Sequence, residues 1–485
     1  MPTIKEEMLK GVMWSAIGKY SGVIVQLIIT AVLARLITPE EFGVVAIATV
    51  LIAFLTIFSD LGLGAAIIQR QDFGKKEYDS IYSFSIYLGI FLSVVLFLSS
   101  SLIATFYDSL PLKIICQILS VTLFFGSINM VPNAIISKQK RFKFIAQRTL
   151  FFQVCGGILA IIAAFCGWGC YALLIPILLS SIGNFFVNYR QYPLHFNVAL
   201  DISPVKSVFS YSSFLLIFNV MNYFTRNLDK LIIGRFFSMQ SLGYYDKSYH
   251  LMMLPLQQIT HVITPVMHPV LTSLQNDFPK MARDYAKILK LLATIGFPLG
   301  VFLYFSATNL ITLVYGEQWL PAVPVFKILT LSVPVQMLIA TTGGIFQASG
   351  RTDWLFYAGT FHSVITILGF VLAVLIFNSI EAMAWSFVLI MNFHTFLTLF
   401  IIYCIVFKQS YIEVIKLFFI PALNAVLLTV AFLMVNKILF FSAFINIFIQ
   451  FFVFILISII VIQTTQQYDL KTLGHKAIER VVKRA

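Results

Sequence analysis

Apolar residues run along this chain in long continuous blocks, broken by short polar turns. Fourteen blocks can be read, near 11–37, 42–69, 80–106, 113–136, 147–166, 169–189, 207–237, 242–275, 288–314, 322–349, 354–377, 382–407, 414–436 and 440–463. Each has about the twenty residues that a helix rising ~1.5 Å per residue needs to cross ~30 Å of hydrocarbon. Strands of a membrane barrel would alternate every second residue, and these blocks do not. The pattern predicts an all-α polytopic membrane protein with 14 transmembrane helices.

Composition agrees. Of 485 residues, 59% are hydrophobic and 11% charged, with a mean hydropathy of +0.92, where soluble domains carry about 25% charge. The formal net charge of +13 invites a nucleic-acid reading, but the distribution of that charge argues against one. With the N-terminus placed in the cytoplasm, 24 of the 33 lysines and arginines fall on that side, and only Lys113 and Lys437 fall outside. The positive-inside rule then selects fourteen helices with both termini cytoplasmic. The first block is long enough to span and lacks a small-residue cleavage site, so it is expected to stay as a helix. The five cysteines show no metal-ligand spacing and read as small apolar filler.

The chain also repeats itself. Arg35 and Gly43 match Arg235 and Gly243 at an offset of 200. Asp72-Phe73-Gly74-Lys75 matches Asp277-Phe278-Pro279-Lys280 at 205, and Arg141 and Phe144 match Arg351 and Trp354 at 210. The order is kept and an even number of helices separates the copies. This predicts two parallel-repeat six-helix lobes, 1–200 and 201–407, then two extra helices in 408–464 and a basic cytoplasmic tail in 465–485. Two such lobes can rock about a site between them. The bland alternative is a duplicated scaffold with no moving parts.

Beyond the first three positions of each block, seven cations lie inside the apolar blocks: Lys19, Arg35, Arg226, Lys230, Arg235, Lys247 and Lys327. A charge at mid-membrane costs roughly 2.5–3.5 kcal/mol on insertion scales, so it usually faces a cavity or a partner. Arg35, Arg235, Lys247 and Lys327 sit near the outer boundary, where long side chains reach headgroups. Lys19 and Asp60 each lie about 12–14 Å deep by helix rise. Asp60 either controls a cavity cation or forms an ion pair that only fixes packing. Gln26 continues a polar stripe on the first helix.

Asn219, Asn222, Tyr223, Arg226, Asp229 and Lys230 recur at helical spacing on the seventh block. Arg226 offers a planar fork for phosphate oxygens, and Lys230 a point charge one turn away. Asp229 can hold either of them or bind a coupling cation. On the eighth block Gln257 and His261 share a face. His261 is either a protonatable group at mid-membrane or a hydrogen-bonded packing residue. The cationic cavity is therefore read as Lys19, Arg226 and Lys230. The charge partners or coupling groups are Asp60, Asp229 and His261, and the polar wall is Gln26, Asn219, Asn222, Tyr223 and Gln257. No metal site and no catalytic group is expected. No outer loop holds a catalytic constellation and no Walker motif is present, so energy is expected from a gradient of H+ or Na+, the membrane potential or downstream consumption of product.

The opening GVMWSAIGKYSGVIVQLIITAVLARLITPEEFGVVAIATVLIAFLTIFSDLGLGAAIIQRQD resembles the start of Wzx- and WzxC-type bacterial polysaccharide transporters. RNLDKLIIGRFFSMQSLGYYDKSYHL resembles the motif that opens their second lobe. These belong to the multidrug/oligosaccharidyl-lipid/polysaccharide exporter superfamily. The resemblance covers nearly the whole chain, including the six-plus-six-plus-two helices. It implies a non-enzymatic flippase in the bacterial inner membrane, moving an undecaprenyl-pyrophosphate-linked glycan from the cytoplasmic to the periplasmic leaflet. The product would serve O-antigen, capsule or exopolysaccharide assembly. The implied partners are membrane lipids and the polysaccharide polymerase and chain-length machinery, with no nucleic acid and no cofactor. Rivals are an exporter of peptidoglycan or teichuronic-acid precursors, a membrane glycosyltransferase or polymerase, and a non-transporting scaffold using the basic turn at 138–148.

Overall fold

A computed structural model of the chain describes residues 4–70, 72–198, 201, 203–437 and 442–465. Among these residues every regular element is helical. In chain order they are α1 (Ile4–Leu36), α2 (Pro39–Asp60), α3 (Leu63–Gln69), α4 (Lys75–Phe106), α5 (Leu110–Lys138), α6 (Phe142–Phe165), α7 (Ile175–Gln191), α8 (Ser203–Phe236) and α9 (Met239–Thr272). They continue with α10 (Phe278–Phe305), α11 (Ala307–Val314), α12 (Val323–Thr330), α13 (Val333–Ile339), α14 (Thr342–Ala348), α15 (Thr352–Leu372), α16 (Ile380–Phe400), α17 (Tyr411–Leu417), α18 (Phe419–Val435) and α19 (Ala443–Thr464). The expected tail lies outside the described residues from 466 onward.

Eleven helical segments among the described residues are long and apolar enough to cross a membrane, or twelve if one bent pair counts as a single span. The sequence predicts fourteen. The difference lies in α8 and α9, each 34 residues long, where clustered charged and polar groups pull the apolar average down. The bent pair, Glu317–Thr330 with Val333–Ala348, turns by 51°. Pro324 and Pro334 each open a new helix there, as residues without an N–H do best in a first turn. The predicted continuous block 42–69 is also broken, because Leu61 (φ 45°) and Gly62 (φ 75°) are left-handed. Asp60 then accepts the Gly64 amide at 3.2 Å, which starts α3.

The chain divides into two compact units, 1–246 with 314–318, and 247–313 with 319–485. The division falls inside α9. In the first unit α4 packs along α5, α6 along α1, and α7 between α5 and α6, while α8 lies on α2. Leu63, Ile67, Ile81, Val131, Ile135 and Phe185 form its buried core near the basic turns. Asp79, buried in α4, accepts the His195 amide at 2.9 Å, and Ser83 accepts that of Asn197 at 2.9 Å. The stretch that leads toward α8 is thereby pinned to α4. In the second unit α10 packs on α13 and α18, and α15 pairs with α16.

Two of the three repeat matches have matching local structure. Thr38 Oγ1 accepts the Glu41 amide at 3.4 Å to begin α2, and Ser238 Oγ accepts the Ser241 amide at 3.0 Å to begin α9. Gly43 and Gly243 then meet, each so close to the other's first turn that neither has room for a Cβ. At the offset of 210, Lys140 (φ 57°) and Gly350 (φ 69°) are both left-handed, and Arg141 and Arg351 both cap the next helix. The third match diverges. Asp277 caps α10 through the Lys280 amide at 3.0 Å, whereas α4 begins with Glu77 accepting the Gly74 amide at 2.8 Å.

Candidate functional site: the polar face of α8

Helix α8 concentrates the polar groups of the first unit because its sequence places them three and four residues apart. Asn219, Asn222 and Arg226 stand exposed. Arg226 makes no hydrogen bond or ion pair with any described residue. Tyr223 is turned into the protein, donating its hydroxyl to the Val50 carbonyl of α2. Its ring centroid lies 5.8 Å from that of Phe54, so Tyr223 is a strut between α8 and α2 rather than a free wall group.

Asp229 is 3% exposed. One carboxylate oxygen accepts the Lys230 amide at 2.8 Å, and the other accepts the Tyr245 hydroxyl at 2.9 Å. Lys230 Nζ reaches Asp246 Oδ1 at 2.7 Å, with both side chains less than a fifth exposed. Its carboxylate partner is thus Asp246 of α9, which the sequence reading did not assign, and Asp229 is held by Tyr245. Burying a carboxylate without partners costs several kcal/mol, and these contacts offset that cost. The charge of Lys230 is largely cancelled where it sits, which leaves Arg226 as the accessible cation of the α8 polar stripe.

Lys19 is exposed on α1 and makes no ion pair with Asp60. The expected pair fails for a packing reason: α1 lies along α6, whereas α2 lies on α5 and α8. Asp60 instead caps α3 through Gly64. Gln26 lies in a short polar chain. Gln153 of α6 donates to Gln26 Oε1 at 3.2 Å and to the Gly22 carbonyl at 2.9 Å, and Gln26 donates to Thr30 at 3.3 Å. In the second unit Gln257 and His261 are exposed and form no side-chain hydrogen bond to a described residue.

Arg35 is more than an interfacial anchor. Its guanidinium donates to the Ala31 carbonyl at 2.8 Å and to the Val314 carbonyl at 3.1 Å, and Gln318 caps the same end of α1 at Ile37. Arg235 lies 5.1 Å from the ring centroid of Phe106.

Sequence reasoning missed a second polar centre by counting Arg148 as a loop charge. Arg148 is only 9% exposed in α6. Its guanidinium donates to Asn188 of α7, and to Asn133 of α5 at 3.3 Å, while Asn188 donates to Asn129 at 2.8 Å. No carboxylate among the described residues forms an ion pair with it, and the Phe144 ring centroid lies 5.8 Å away. The signal was available: Asn129 and Asn133, like Asn184 and Asn188, are polar pairs one helical turn apart in apolar helices.

Eleven or twelve apolar helices make this a multi-pass membrane protein, with one polar helix face and a mostly neutralised ion cluster behind it. A family model described as "Polysaccharide biosynthesis protein" matches residues 32–324, and the chain belongs to that family. It is 29% identical over 360 residues to the teichuronic acid biosynthesis protein TuaB of Bacillus subtilis, covering 74% of each chain. It is 26% identical over 431 residues to the lipopolysaccharide biosynthesis protein WzxC of Escherichia coli, covering 86% of this chain and 85% of the other. Its fold resembles that of the lipid II flippase MurJ in an inward closed conformation, with a TM-score of 0.75 and 17% identity. That match covers 94% of this chain and 99% of the other.

Proposed function

We propose that the protein is a flippase for an undecaprenyl-pyrophosphate-linked oligosaccharide, moving it from the cytoplasmic to the periplasmic leaflet by alternating access. Its product feeds O-antigen, capsule or exopolysaccharide biosynthesis. The observation that carries this reading is the family match, joined to an uncommitted arginine on a polar helix face. A lipid-linked diphosphate needs a cation at membrane depth and hydroxyl-binding groups beside it. Arg226 supplies a planar fork for the phosphate oxygens, and Lys19 a second accessible charge. Asn219 and Asn222 face the sugar, with Gln26 on α1. Lys230 is a positioning residue that ties α8 to α9 through Asp246.

Counted with α8 and α9, the protein has fourteen transmembrane helices. They form two parallel-repeat lobes, 1–200 and 201–407, and an added pair in 408–464, in the bacterial inner membrane with both termini cytoplasmic. Transport needs no cofactor and no covalent chemistry. The membrane potential contributes about 2.3 kcal/mol per charge crossing 100 mV, and H+ or Na+ can couple through His261 or Asp229. The polymerase and chain-length machinery take the product on the far side.

Vesicles holding the purified protein should move a fluorescent lipid-linked oligosaccharide between leaflets, and Arg226→Ala should slow that movement at least tenfold. No movement with any lipid-linked glycan would overturn the function, while normal movement by Arg226→Ala would overturn the site. The similarity to TuaB favours one second reading, a teichuronic-acid precursor as cargo, which the same vesicles distinguish by substrate.

A further inference from the structure

The first unit contains a cavity of about 900 Å³ at the end opposite its basic turns, within the ~300–1,000 Å³ span of ligand sites. It lies between the turn that opens α2, the α4–α5 turn and the turn after α6. Glu40, Asp108, Lys113, Ser109, Trp168 and Tyr171 are among its lining residues. Two features mark it as more than a surface dent. The side chains of Glu40, Asp108 and Lys113 make no ion pair or hydrogen bond with any described residue, so three charged groups on one wall have no internal employment. Trp168 is 58% exposed, and it is set between two left-handed glycines, Gly167 (φ 82°) and Gly169 (φ 52°). The third acid of the wall, Glu41, is taken by the Thr38 cap and by the Cys170 amide at 3.0 Å.

We propose that this cavity binds a saccharide. Carboxylates accept hydrogen bonds from neighbouring sugar hydroxyls, Lys113 and Ser109 donate to ring and hydroxyl oxygens, and the exposed indole offers a flat face to a pyranose ring. Other ligand classes fit less well. Three carboxylates against one lysine repel a phosphate. No group of three His, Cys, Asp or Glu side chains among the described residues is placed to hold a metal ion. The proposal rests on the flippase reading for its biological sugar: the cavity receives the glycan headgroup on the trans side.

The test uses the full chain in lipid nanodiscs and the oligosaccharide repeat unit released by mild acid from the producing strain's polysaccharide. Tryptophan emission is followed while the sugar is added, with Mg2+ and inorganic pyrophosphate as comparison probes. The sugar should give a saturable emission change that Trp168→Phe abolishes. Asp108→Asn should need at least tenfold more sugar, at an unchanged melting temperature. A response that persists in Trp168→Phe, or one that Mg2+ or pyrophosphate reproduces, would overturn the proposal. If vesicles flip the lipid-linked substrate while the free glycan gives no response, only this inference fails. If the glycan binds but nothing is flipped, the flippase reading fails and the saccharide site stands.

Discussion

Gly43→Ala is the smallest perturbation that should disturb the meeting of the two repeat copies. A Cβ on Gly43 would lie 1.8 Å from the Met239 carbonyl oxygen, and one on Gly243 would lie 1.9 Å from that of Pro39. Real Cβ atoms do not approach within 3.0 Å, so the first turns of α2 and α9 must separate by more than an ångström. The struck atoms are backbone carbonyls in helical turns and cannot rotate away. Overpacking of this kind costs about 1–3 kcal/mol, and a rigid neighbour places it at the upper end. For a cooperative unit the size of the first compact unit that lowers the melting temperature by roughly 2–6 °C. Gly243→Ala should cost about the same. The double variant should lose less than the two singles combined, by about 1 kcal/mol, because one separation makes room for both methyls. Gly126→Ala is the control: nothing lies within 4 Å of its Cβ, and removing a mid-helix glycine stabilises by about 0.5–1 kcal/mol. Melting curves of the purified protein decide the matter. Wild-type melting for Gly43→Ala, or strict additivity in the double variant, would refute the reasoning.

Other outcomes follow from the same geometry. Asp246→Ala strands Lys230 with its main counter-charge gone and should destabilise by about 1–3 kcal/mol. Lys230→Met with Asp246→Leu should recover most of that loss, as apolar replacement of a buried pair usually does. Arg226→Ala removes an exposed, unpaired side chain, so stability should stay within about 0.5 kcal/mol of wild type while flipping falls. Arg148→Met leaves the Asn133 and Asn188 carbonyls without their donor and should cost about 2–4 kcal/mol, read as a lower melting temperature. Asp60→Asn should leave flipping unchanged, since Asp60 caps α3 and does not meet Lys19; a tenfold loss would restore the pair that the structure does not form.

Legibility in the sequence followed the range of the forces involved. Hydrophobic blocks and the distribution of lysine and arginine depend on solvation alone, and they placed nearly every long helix. The paired positions were readable because Gly43 and Gly243 each leave no room for a Cβ, and because a left-handed residue followed by arginine opens both α6 and α15. The breaks at Leu61 and in 330–342 were not readable, because local turn geometry decides them while the residues stay apolar. Within the site, the α8 stripe was visible from spacing, but its partners were not. Depth along two helices cannot say whether they touch, so Lys19 was joined to Asp60 across helices that pack elsewhere. Lys230 was matched to its sequence neighbour Asp229, although a lysine reaches more easily across to Asp246 on the next helix. Arg148 was misplaced for a related reason: a basic residue near a turn counts as exposed until the asparagines on two other helices are seen to enclose it.

The central claim is that the protein moves a lipid-linked glycan using Arg226 on α8. Leaflet-resolved transport of a fluorescent lipid-linked oligosaccharide in vesicles, comparing wild type with Arg226→Ala and Arg226→Lys, tests it most directly. The account predicts rapid transport by wild type, at least a tenfold loss in Arg226→Ala, and partial recovery in Arg226→Lys, which restores the charge without the fork. Equal rates in all three proteins would contradict it.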